Sequence, residues 1–160
     1  MKIYYEKDII FHIDNQILSK VIKCVRITAP NEASGLIFGN VEQQPVNNEF
    51  QYHYKTRFFE CVESNHKSPV AFLMNDDEML YQIATKVEKE HDLKLISVFH
   101  SHPSGTTPSE MDYHYMNTFH KTNISKFKHL IWTIMDSQNS EIKAYLIFKG
   151  VLTQIQVKLD

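Results

Sequence analysis

Leu95-Ile96-Ser97-Val98-Phe99-His100-Ser101-His102-Pro103-Ser104-Gly105-Thr106-Thr107-Pro108-Ser109-Glu110-Met111-Asp112 is the stretch from which the rest of the chain can be read. Its first five residues are an apolar, partly β-branched run, the composition of a buried strand. His100 and His102 follow two apart. Side chains at i and i+2 of an extended chain share a face, so both imidazoles can reach one point. Pro103 ends the strand, and Ser104 to Pro108 has loop chemistry. Ser109-Glu110-Met111-Asp112 then has the Ser-x-x-acid form of a helix start, which puts Asp112 in the first turn with its carboxylate able to swing back toward the histidines. Two imidazoles and one carboxylate form a three-ligand set with an open fourth position, as in a catalytic zinc site. Nitrogen and oxygen donors without thiolate suit zinc and also admit other divalent metals.

Either half of this pattern alone is commonplace. A His-x-His pair is usually two polar side chains at a strand end, and Ser-x-x-Asp is usually a plain helix cap. Their succession across a short Pro- and Gly-bearing loop points to metal.

His100-Ser101-His102-Pro103 with Ser109-x-x-Asp112 resembles the signature of the JAMM (MPN+) metallopeptidases. That family also carries an upstream glutamate, and Pro30-Asn31-Glu32-Ala33-Ser34-Gly35-Leu36-Ile37-Phe38-Gly39 resembles the segment that bears it. The resemblance implies that His100, His102 and Asp112 hold Zn²⁺, with Glu32 as general base and acid and Ser109 stabilising the oxyanion. It also implies a JAB/MPN fold like that of the cytidine deaminases. The implied substrate is the bond after the Gly-Gly tail of ubiquitin or a ubiquitin-like modifier. A tail without side chains can lie close to the metal as an added strand. Ser104, Gly105 and Thr106 are the candidate substrate contacts. Asn65 joins them because Asn65 to Phe72 resembles a family loop near the cleft. Between His102 and Ser109 this chain has six residues, where the family pattern usually has seven. Processing of a small sulfur-carrier protein, or a non-catalytic scaffold of the same fold, are the alternative functions.

Composition sets the outer bounds. The 160 residues are enough for one domain with a substantial core, and a 42% hydrophobic, 22% charged chain is ordinary for a soluble globular protein. A net charge of −2 recommends neither nucleic acid nor an anionic membrane as partner. The absence of a long apolar run and of a signal-peptide pattern leads us to expect a cytoplasmic protein. Cys24 and Cys61 are then expected as two small buried hydrophobes, not a disulfide. Oligomeric state is not legible.

Around the central stretch the remaining elements fall into place. Ile9 to Ile13 is a short strand candidate. From Asp14, a capping residue, Ile17, Val21 and Cys24 or Val25 recur at helical spacing until Ala29-Pro30. Ser34 to Gly39 reads as a strand, Asn40 to Asn48 as a polar loop, and Phe50 to Lys55 as a strand alternating aromatic and polar residues. His53 and His66 are expected to be solvated. Asn75-Asp76-Asp77-Glu78 starts a second long helix whose buried stripe is Met79, Leu80, Ile83, Ala84 and Val87. Ser109 to about Phe119 is a short helix, on which His114 falls on a different face from Asp112. The lysine-bearing segment Lys121 to Lys128 reads as a solvated connector. Three strands after His129, with tight polar turns, form an antiparallel meander. The sum is one α/β domain over residues 1–160, a mixed sheet packed between helices, partly parallel through the crossover into the central strand.

Overall fold

The computed structural model describes residues 1–62, 77–122 and 129–160, as seven strands and three helices. In chain order these are β1 (Tyr4–Ile13), α1 (Asn15–Thr28), β2 (Ser34–Val46), β3 (Glu49–Val62), α2 (Asp77–His91), β4 (Lys94–His102), α3 (Glu110–Lys121), β5 (Ile131–Asp136), β6 (Ile142–Phe148) and β7 (Val151–Leu159). Helix α1 begins where the chemistry demands it. The Asp14 carboxylate accepts the Ile17 N–H at 2.8 Å, and Ile17, Val21, Cys24 and Val25 form one buried stripe. The Ala29 N–H still reaches Val25, and Pro30 follows directly.

The sheet is mixed, in the order β1-β3-β2-β4-β5-β6-β7. β4 and β5 run parallel, as do β1 and β3, while β5, β6 and β7 form the expected antiparallel meander. β4 lies beside β2, antiparallel to it, as β3 does on the other side. The crossover through α2 therefore joins two parallel strands separated by β2. The expectation of a mixed sheet between helices does not include one feature: β1 pairs in parallel with β7, so the sheet closes into a barrel. That closure joins the first and last strands, a pairing that local periodicity does not encode.

Both faces of the sheet are covered. One apolar cluster unites the α1 stripe with Phe11, Ile37, Phe99, Met135, Ala144 and Ile155 from the strands. The other gathers Leu36, Val98, Trp132 and Tyr145 against Leu80, Ala84 and Val87 of α2 and Met116 and Phe119 of α3. Burial on both faces explains why the central strands read as nearly continuous apolar runs. Close strand approach explains one glycine: a Cβ at Gly39 would collide with the Lys55 carbonyl.

Three expectations are corrected. Asn40 to Val46 is strand, not loop. It pairs with β3 as far as Val46 opposite Glu49, and Asn47 and Asn48, with φ of 49° and 66°, make the two-residue turn. Both faces of this hairpin end are exposed, so its polar composition mimics a loop. His53 is buried, not solvated. Its Nδ1 lies 2.7 Å from Nε2 of His12, whose Nδ1 lies 2.9 Å from the Asp160 carboxylate. Burial pushes the His53 imidazole down, and the neighbouring His12 acts in the same direction. Cys24 of α1 and Cys61 of β3 are joined in a disulfide, with Cα atoms 5.9 Å apart. A separation of 37 residues hides this pairing from sequence spacing, and it departs from the reduced thiols expected of a cytoplasmic protein. No helix among the described residues is long and apolar enough to cross a membrane.

Candidate metal centre

β4 delivers the two histidines and α3 delivers the carboxylate. At the end of β4, the His100 and His102 Nε2 atoms lie 3.0 Å apart. The capping box predicted at Ser109 forms in full. Ser109 Oγ accepts the Asp112 N–H at 3.0 Å, and the Asp112 carboxylate accepts the Ser109 N–H at 2.8 Å. This reciprocal bond turns the Asp112 side chain back toward β4. There one oxygen lies 3.1 Å from His100 Nε2 and the other 3.0 Å from His102 Nε2.

His100 and Asp112 are buried and His102 is half-buried, and among the described residues these three form the group of metal-binding type. Two ring nitrogens and a carboxylate presenting lone pairs to one point need a cation or shared protons between them. The donor set therefore fits a divalent ion. Burial pushes the Asp112 carboxyl up. Hydrogen bonds from His100 and His102, the charge of His100 and the Ser109 N–H outweigh it and hold the group far below the usual carboxylate range. His102 is shifted up, first by its hydrogen bond to Asp112, against the effect of burial. The charges of Asp112, Glu32 and Asp136 add to the rise.

Glu32 reaches the site through strand register. Ser34 of β2 is paired with His100 of β4. Past that pair, the Ala33 carbonyl accepts the Ser101 N–H at 3.0 Å, and the Ala33 N–H donates to Ser101 Oγ at 2.8 Å. Ser101 thus ties β2 to β4 from the position between the two histidines. Counting on in the same antiparallel register, Glu32 falls opposite His102, half-buried and close enough to act on that imidazole electrostatically. Ser34 Oγ and His100 Nδ1, on paired positions, are both buried without a hydrogen-bond partner.

The candidate substrate contacts divide. Ser104 and Gly105 are exposed beside the site, as is Ser109. Thr106, by contrast, is 5% exposed and hydrogen-bonds Tyr145 of β6, so its side chain is turned into the fold. Asn65 and His66 lie outside the described residues. His114 is exposed and packs edge-on against Tyr115, apart from the cluster, as its place on the helix predicts.

Asp136 was missed by the sequence reading. Its carboxylate accepts the N–H groups of Gly105 and Gln138, each at 2.7 Å. These donors, with the Asn139 N–H, hold it below the usual carboxylate range. The only local signal is an Asp opening a Ser-Gln-Asn turn, which reads as ordinary turn chemistry.

The family model for the prokaryotic homologs of the JAB domain matches residues 14–147, from the cap of α1 to β6. Among curated proteins, none matches the chain. Among solved structures, the chain is similar to the solution structure of protein DSY2949 from Desulfitobacterium hafniense. The two are 20% identical with a TM-score of 0.64, over 94% of this chain and 92% of that one. At that identity the likeness bears on the fold alone. The matched span contains the whole metal cluster and Glu32, and on it the chain belongs to the JAB domain family in its prokaryotic branch.

Proposed function

We propose that the protein is a zinc-dependent peptidase or isopeptidase that cleaves after the C-terminal Gly-Gly of a ubiquitin-like protein. The observation that carries this reading is the convergence of His100, His102 and Asp112 with Glu32 laid beside His102 by the β2–β4 register. His100, His102 and Asp112 would hold a divalent ion, which would supply Lewis acidity for activating water and polarising the scissile carbonyl. Glu32 accepts the proton released as the nucleophile attacks and returns it to the departing amine nitrogen. Ser109 Oγ uses a lone pair to accept the Asp112 N–H. Its own proton is not used by that bond, so the hydroxyl can donate to the carbonyl oxygen as negative charge develops there. Exposed Ser104 and Gly105 border the approach, where a glycine tail, lacking side chains, can lie against the backbone.

The test is cleavage of Gly-Gly fusions and lysine conjugates of ubiquitin-like proteins, with and without a chelator. Turnover that stops on chelation and returns with zinc is the expected result. Zinc uptake without turnover on any such substrate would favour a docking scaffold. Ser109→Ala is expected to lower turnover by about 10²–10³-fold and to cost about 1 kcal/mol of stability through the lost cap. Zinc content should be unchanged. A variant with full turnover would remove the hydroxyl from the reaction.

A further inference from the structure

The loop that joins the two halves of the metal site is tied at its middle, and its tether comes from outside the ligand set. Between His102 and Ser109 the chain has six residues to leave β4, reverse and start α3. Asp136, the last residue of β5, stands in parallel register with His102. One of its carboxylate oxygens takes the Gly105 N–H at 2.7 Å, and the other takes the Gln138 N–H at 2.7 Å. Gly105 holds φ +83°, a left-handed backbone that only glycine adopts readily, and a side chain there would meet open space. Its glycine identity therefore serves backbone conformation, not packing. The following turn reinforces the contact: the Ser137 N–H donates to the His102 carbonyl at 2.9 Å, and the Ser140 N–H to the Asp136 carbonyl at 2.9 Å. One residue beyond Gly105, Thr106 is buried against Tyr145.

We infer that Asp136 is a positioning residue of the metal centre. By clamping Gly105 it fixes the path of the loop, and so the place where Ser109 and Asp112 meet His100 and His102. This rests on the metalloenzyme reading above and adds to it a fourth anchoring side chain, from a strand that contributes no ligand. A carboxylate is required because two N–H groups converge on it from different segments. An amide in its place offers one oxygen, and its NH₂ would face the other N–H. Outer groups that orient ligands change metal affinity typically by about 10–100-fold when removed.

The experiment measures zinc affinity of the wild-type protein, Asp136→Asn and Asp136→Ala by competition with a chromophoric chelator. Cobalt(II) absorption spectra of the same proteins report ligand geometry, which a purely structural role would leave unmoved. Melting of each metal-free protein is recorded alongside. Both variants are expected to fold, to bind zinc about 10–100-fold more weakly, and to show an altered cobalt spectrum. Thr106→Val, which cuts the second tether alone, is expected to change both readouts in the same direction by less. Wild-type affinity and spectrum in folded Asp136→Asn would overturn the inference. So would loss of folding in both Asp136 variants, since Asp136 would then be a folding element. Failure of the wild-type protein itself to bind zinc would instead remove the metalloenzyme reading on which the inference stands.

Discussion

Glu32→Gln is expected to retain a full complement of zinc and to lose turnover by about 10²–10⁴-fold. The substitution keeps the size of the side chain and its place just before the start of β2, because the Ala33–Ser101 hydrogen bonds that set the register involve no atom of residue 32. It leaves the three ligands intact, since Glu32 is not one of the converging donors. The loss is the basic site: a carboxamide cannot take a proton from the nucleophile and pass it to the leaving nitrogen. His102 also loses a neighbouring negative charge that raises its affinity for protons. Elemental analysis and a turnover assay on one preparation check both halves. Undiminished turnover would show that another group moves the proton, whereas loss of zinc would show that Glu32 acts in metal retention.

His100→Ala is expected to abolish bound zinc, and turnover with it. His100 is fully buried, and its Nε2 lies 3.0 Å from that of His102 and 3.1 Å from the Asp112 carboxylate. Removing it leaves two ligands, one of them half-buried, and a void at the end of β4. The remaining pair lacks the donor count of a catalytic zinc site. The Asp112 carboxylate keeps its helix-capping bond to the Ser109 N–H, so α3 should still start at Glu110. This separates the variant from Asp112→Ala, which removes a ligand and half of the capping box together. Zinc content by elemental analysis, with far-UV circular dichroism to show that the fold survives, decides the matter. Stoichiometric zinc in folded His100→Ala would place the ion elsewhere.

The two predictions draw on different sources. His100, His102 and Asp112 were legible because they lie close together in the chain, where strand periodicity and a helix-capping pattern are local rules. Glu32 has no local rule of its own, and only its resemblance to a family segment singled it out. The β2–β4 register then supplied the physical reason: Ser34 opposite His100 carries residue 32 alongside His102. Asp136 had neither advantage, because a lone acid opening a turn is indistinguishable from any other until β5 is seen beside β4. Thr106 looked free to meet a substrate, yet its hydroxyl is committed to Tyr145 on a strand nearly forty positions away.

The sequence by itself determined the helices, the central strands, the C-terminal meander and the two-histidine, one-carboxylate set, since each depends on side chains within a few residues of one another. Only the tertiary structure decided the β1–β7 closure, the Cys24–Cys61 disulfide, the burial of His53 against His12 and the clamp of Asp136 on Gly105. These are contacts between distant segments. Their partners are selected by strand order and register, and many pairings are compatible with the same local pattern until the whole sheet has formed.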